Sequence, residues 1–205
     1  MSRCTMWALE PSPRTGKRPL LAQAGTTAVE FALLASTFFT FVFGIVEVAR
    51  LLYVYNTLQE VTRRAAAAAA SVYPRDTAAT DRVRYHAVFR QEPGGLLLAP
   101  PVTDGHIRLA YLNAALAEIP RGQWPASAAA NKQICLINPR AATCIRFVQA
   151  QVCDDTDMSD CARAESRMLL PIIDLRVPLP RATTIATVES LGYVPGTRPP
   201  ACPCL

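Results

Sequence analysis

Histidine is nearly missing from this chain: His86 and His106 are the only two in 205 residues. Two scattered imidazoles do not supply a general base with an orienting partner. There is no Gly-x-Ser-x-Gly, no His-Glu-x-x-His and no glycine loop of the phosphate-cradling kind. These gaps argue against an enzyme, a bound cofactor and a small-molecule substrate. Cys-x-x-Cys is absent too, and both histidines are far in sequence from the cysteines, so a metal site has no ligand spacing to rest on. The charge of +5 and pI near 9.0 would suit nucleic acid, but no basic stripe interleaved with aromatics follows. Much of the basic excess lies before residue 26, in Arg3, Arg14, Lys17 and Arg18 against the one acid Glu10. The acidic run Asp154–Asp160 lacks the central glycine and oxygen spacing of a calcium loop and reads as a solvated turn.

Charge is also missing from Phe31 to Val46, and here the absence is the main signal. Extended back to Thr26, the run holds one acid, Glu30. As a helix rising about 1.5 Å per residue it spans roughly 32 Å, enough for a hydrocarbon core of about 30 Å. An ionised carboxylate costs at least about 2.5 kcal/mol at mid-membrane and less near the interface. A plain anchor has no use for that cost, so Glu30 is a functional candidate. The basic residues ahead of the span predict a cytoplasmic N-terminus and a C-terminal body on the other side of the membrane.

A basic leader, then Gly25, four residues, Glu30, Phe31-Ala32 and an apolar helix resembles the processing site of type IV prepilins and pseudopilins. The fuller strings Ala28-Val29-Glu30-Phe31-Ala32-Leu33-Leu34 and Phe43-Gly44-Ile45-Val46-Glu47-Val48-Ala49-Arg50 resemble the TadE-like pseudopilins of the tight-adherence (Tad/Flp) pilus system. The sharp resemblance covers Gly25–Ala67, with a looser echo at Leu179–Glu189. It implies cleavage after Gly25 by a prepilin peptidase, a new amine on Thr26, and a role in assembly for Glu30. The carboxylate lies about one helical turn from that amine and would neutralise it, or the amine of an incoming subunit. The partners it implies are the bacterial inner membrane, the prepilin peptidase, other pilins or pseudopilins and the Tad assembly platform. The function implied is that of a minor pilin; the alternative is an unprocessed, signal-anchored periplasmic scaffold or binding protein.

Beyond Arg50 the apolar period changes. Leu51, Val54, Leu58, Val61 and Ala65 recur at steps of three and four, with polar residues on the other faces. With Phe31 they are the candidate helix-packing residues. The stripe either docks the chain's own domain or packs on neighbouring subunits, and different turns can do both. Ala65–Ala70 favours helix, and Pro74 stops it. Glu47 and Arg50, three apart, are spaced for a helical ion pair or simply mark the border of the span. The organisation expected is a leader over 1–25, a long helix over 26–73 (26–48 transmembrane), a periplasmic α+β domain over 74–191 and a proline-rich tail over 192–205. The fold class is α+β, a long N-terminal helix followed by a small antiparallel sheet in pilin-like fashion.

Within the domain, Asp76–Arg90 reads as a second helix capped by Asp76, and His106–Leu112 as a strand. Ile119–Ala130 reads as loop. Lys132–Ile137 and Thr143–Val152 read as a hairpin through Asn138-Pro139-Arg140. Met168–Val177 and Thr183–Leu191 read as strands. An oxidising periplasm would pair the cysteines. Cys135, Cys144, Cys153 and Cys161 allow three connectivities. Local closure favours Cys135–Cys144 and Cys153–Cys161. Cys4 lies in the leader. Cys202-Pro203-Cys204 either bridges to another chain, forms a strained pair or ends a mobile tail.

Overall fold

The computed structural model describes residues 24–99, 102–154, 161–168 and 176–196. The leader before Ala24, the core of the acidic run, most of the expected strand Met168–Val177, and Cys202 and Cys204 lie outside them. The chain divides into two compact units, Met1–Ile45 and Val46–Leu205. The architecture is the expected α+β one, a long apolar helix followed by a small antiparallel-sheet region.

Helix α1 runs over Ala24–Ala69. It stops short of the expected Tyr73 for a reason that can be read locally. Pro74 has no N–H to donate to the carbonyl of Ala70, one turn back. That carbonyl instead accepts from the backbone N–H groups of Glu189 and Leu191, both at 3.2 Å. Ser71 and Val72 tighten the last turn with bonds to the carbonyls three residues behind them. Gly192, which follows, has φ +75, and a Cβ there would lie 3.2 Å from the Tyr73 nitrogen, so this close return of the chain needs glycine.

Helix α2, Thr77–Ala87, is capped as expected: the Asp76 side chain accepts from the Ala79 N–H. Strand β1 is Ile107–Leu112. Helix α3, Ala128–Ile137, stands where a hairpin strand was expected over Lys132–Ile137. Ser127 caps it by accepting from the Ala130 N–H at 3.1 Å, and Ala128–Ala130 supply strong helix formers in the first turn. Strands β2 (Phe147–Val152), β3 (Glu165–Arg167), β4 (Arg176–Pro178) and β5 (Thr183–Thr187) follow. β2 and β5 are each shorter than the runs expected for them, Thr143–Val152 and Thr183–Leu191.

β1, β2 and β5 form an antiparallel sheet in that spatial order, with Leu109 opposite Ala150 and Ala150 opposite Thr184. β3 and β4 make a separate two-stranded ribbon. Along β2 the alternate residues Val148, Ala150 and Val152 are buried, as a half-covered strand requires. These residues, with Ile107, Val102, Leu179 and Ala182, build a core onto which the stripe of α1 closes.

Candidate functional site

The first half of α1 belongs to the N-terminal unit. It is mostly apolar and, among the described residues, uncovered: Phe31 is 73% and Leu34 72% exposed, and Phe38, Phe39, Phe41 and Ile45 are exposed as well. The hydroxyls of Ser36, Thr37 and Thr40 are satisfied inside the helix. Thr37 Oγ1 and Ser36 Oγ donate to the Leu33 carbonyl at 2.9 Å, and Thr40 Oγ1 donates to the Ser36 carbonyl at 2.8 Å. A segment facing hydrocarbon needs this internal accounting, because lipid offers no partner for a hydroxyl. The helix is long and apolar enough to cross a membrane. Gly25, Thr26 and Glu30 are exposed in its first turns. Nothing lies within 4 Å of where a Gly25 Cβ would sit. Thr26 and Glu30 are one turn apart and share a face of this helix.

The second half of α1 belongs to the C-terminal unit and is covered. Val54, Leu58, Val61 and Ala65 are all 0% exposed, and Ala66, Ala69 and Ala70 extend the buried face. They pack against Val88, Ala99, Val102, Ile107, Ala150, Val152, Leu179 and Ala182. Of the two roles open to the stripe, the structure fills that of docking the chain's own domain; Leu51, at its start, is only half-buried. The hydroxyls of Thr62 on α1 and Thr184 on β5 meet at 3.0 Å. The C-terminal echo around Leu179–Glu189 therefore packs against the later half of the same helix.

Glu47 and Arg50 are more than a border. Both are buried, at 6% and 7% exposure. Arg50 Nε donates to Glu47 Oε1 at 3.0 Å and Nη2 to the same oxygen at 2.5 Å. Its remaining reach goes to tertiary partners: Nη1 to the Leu98 carbonyl at 2.9 Å, and Nη2 to the Arg167 carbonyl at 2.6 Å and the Ser166 hydroxyl at 3.3 Å. A buried ion pair survives desolvation only when its leftover donors find partners, and here they do. The node pins Leu98 and β3 to α1. Sequence spacing marked the pair; its distant partners carried no local signal.

The cysteines are brought together as Cys135–Cys144 and Cys153–Cys161. The first pair joins α3 to the turn entering β2, not two strands of a hairpin. Asn131 reinforces it: its Oδ1 accepts from the Ile145 N–H at 2.9 Å and its Nδ2 donates to the Ile145 carbonyl at 3.3 Å. His106 is buried and structural, its Nδ1 accepting from the Thr103 N–H at 3.1 Å to close a turn. Among the described residues no three His, Cys, Asp or Glu side chains gather as metal ligands would.

Residues 25–67 match the model of the TadE-like protein family. The match begins at Gly25, ends within the buried stripe, and covers about a fifth of the chain, as the resemblance of the two short strings implied. TadE-like proteins are pilus-associated structural proteins; the likeness to them is confined to α1. No curated protein and no solved structure matches the chain.

Proposed function

We propose that this protein is a minor, pilin-like subunit needed to assemble a tight-adherence type IV pilus. A prepilin peptidase cuts after Gly25 on the cytoplasmic side. The freed Thr26 amine and the Glu30 carboxylate then form the charge pair that sets the register of the helix in the assembly. Phe31 and the apolar residues up to Val46 lie in the inner membrane and later among neighbouring pilin helices. The residues from Val46 onward fold in the periplasm as a disulfide-tied domain that engages the other pilins or the assembly platform. A domain of roughly 150 residues is a heavy load for every subunit of a thin fibre, which favours a minor role.

The observation that carries this reading is the coincidence of the TadE-like match with an uncovered apolar half-helix holding one acid, Glu30. An acid inside a membrane span is retained for function more often than for anchoring. Exchange of Glu30 for alanine is expected to leave cleavage after Gly25 largely intact and to abolish recovery of the protein with assembled pili. Normal incorporation of Glu30→Ala would remove the charge pair from the mechanism.

A further inference from the structure

The turn at Leu96–Ala99 puts two leucines outside and keeps its other two residues inside. Leu97 is 65% and Leu98 51% exposed, while Leu96 and Ala99 are buried in the core. Backbone bonds hold the turn: the Leu96 N–H donates to the Val102 carbonyl at 2.8 Å, the Ala99 N–H to the Leu96 carbonyl at 3.3 Å and the Val102 N–H to the Ala99 carbonyl at 2.8 Å. Just ahead of it, Arg90 Nε donates to the Gly95 carbonyl at 3.0 Å. Leu98 has φ 59°, a left-handed conformation that is strained for a bulky side chain. A short polar residue would sit there at less cost, so an exposed leucine in this conformation asks for a function.

The level of the turn along α1 is fixed. Arg50 Nη1 donates to the Leu98 carbonyl, and Nε of the same guanidinium donates to Glu47 one helical turn earlier. Side chains on a helix lean toward its N-terminus, so this guanidinium lies beside the 47–50 turn. Val46, the last residue of the uncharged run, directly precedes that turn. At about 1.5 Å per residue, Val46 and Arg50 are roughly 6 Å apart along the axis, and the polar layer on each side of the hydrocarbon is about 5–8 Å thick. Tyr53, exposed on α1, lines one hollow of about 240 Å³ together with Leu97, so the turn and this part of the helix share an apolar surface.

We propose that Leu97 and Leu98 form an interfacial anchor that inserts into the headgroup–acyl boundary of the bilayer around α1, with Tyr53 at headgroup level. The inference rests on α1 crossing the membrane up to Val46; it is independent of cleavage after Gly25 and of pilus assembly. Lipid is the occupant because the exposed leucines are level with the end of the span, and a bilayer extends sideways from a helix at that level in every direction. Apolar faces of interfacial elements bury about 5–10 Å into this boundary. Tyrosine suits the same depth, with its ring toward the acyl chains and its hydroxyl toward water. Two points of attachment, α1 and this turn, then fix the tilt of the C-terminal unit on the bilayer.

The test uses the full chain carrying Trp7→Phe, in vesicles of phosphatidylethanolamine and phosphatidylglycerol whose acyl chains bear bromine either near the headgroup or near the bilayer centre. Leu97→Trp sets a fluorescent reporter in the turn, and Phe39→Trp sets one inside the span. The native Trp124 is the distant control: Arg75 bonds its carbonyl beyond the end of α1, on the order of 30 Å farther along the helix than Arg50. The Leu97→Trp indole is expected to be quenched at least about twofold more by shallow than by deep bromine, the Phe39→Trp indole the reverse, and Trp124 by neither. Leu98→Asn suits the left-handed φ and keeps the carbonyl for Arg50. It is expected to leave the melting temperature in detergent unlowered and to weaken quenching of the Leu97→Trp indole about twofold or more. Quenching at Phe39→Trp with none at Leu97→Trp would overturn the anchor and leave the span standing; no quenching at either would overturn both. Shielding of the Leu97→Trp indole from aqueous acrylamide without bromine quenching would mean that protein covers the turn, and would overturn the proposal, as would unchanged quenching in Leu98→Asn.

Discussion

The two halves of α1 are one unbroken helix built for different surroundings. From Phe31 to Ile45 the helix is uncharged and mostly apolar, and among the described residues nothing covers it. From Val54 to Ala69 the apolar residues narrow to a stripe, and that stripe is buried while Gln59, Arg63 and Arg64 stay exposed. A helix that is hydrophobic on every face needs hydrocarbon or other helices around it. One with a single apolar face needs one partner, and the later half finds it in the chain's own core. The lesson is that exposure of Phe31 or Leu34 and burial of Val54 or Leu58 are both what the pattern requires. Glu47 and Arg50 sit where the regime changes, and their buried node fixes the start of the docked half.

This contrast can be broken most severely at the node. Arg50→Ala removes the guanidinium from the buried Glu47 carboxylate, and is expected to destabilise the C-terminal unit by about 3–5 kcal/mol. Denaturant unfolding of the full chain in mild detergent reads this. Joint replacement by Glu47→Leu and Arg50→Met should recover most of the loss; a single Arg50→Ala within about 1 kcal/mol of the parent would show that the node is not buried in solution.

Next in size is a matched pair of truncations. Leu58→Ala in the docked half is expected to cost about 2–5 kcal/mol. Leu34→Ala in the uncovered half should change unfolding of the same unit by no more than about 0.5 kcal/mol. Equal effects at the two positions would erase the distinction between the halves.

The smallest effect concerns pH. Burial pushes the Tyr111 phenol from 10.0 up to about 12, against a lesser downward pull from Arg84 and Arg121. The folded chain thus holds this proton after the unfolded chain has released it. The stabilisation is complete below pH 10 and is lost as pH rises from about 10 to about 12, by at most about 2–3 kcal/mol. Unfolding curves of the parent and Tyr111→Phe, compared across that range, isolate this contribution. A pH dependence identical in the two proteins would mean that the phenol is not held in a buried site.

Much of this was legible because it depends on neighbours in sequence. The uncharged run, the later stripe, the Asp76 cap and strand β1 all follow from local periodicity and turn chemistry. The pairings Cys135–Cys144 and Cys153–Cys161 close short loops, which is why local reasoning favoured them. The segment around Lys132–Ile137 misled because a short apolar run with Ile134 and Ile137 fits strand or helix equally, and the deciding cue lay upstream at Ser127 and the alanines after it. The partners of Arg50 were illegible for a different reason. Leu98 and Ser166 lie 48 and 116 residues away, and only the folded chain brings them to the guanidinium. The same holds for the hollow between Tyr53, Phe89 and Leu97, whose walls come from three separate stretches.

The central claim is that the uncovered half of α1 begins, in the working protein, at Thr26. N-terminal sequencing with intact-mass measurement of the membrane form, from cells with an active prepilin peptidase, tests it directly. The account expects a mature chain starting Thr26-Thr27-Ala28-Val29-Glu30, lighter by the residues Met1–Gly25. Recovery of the chain with Met1–Gly25 still attached would contradict it and leave a signal-anchored periplasmic protein in its place.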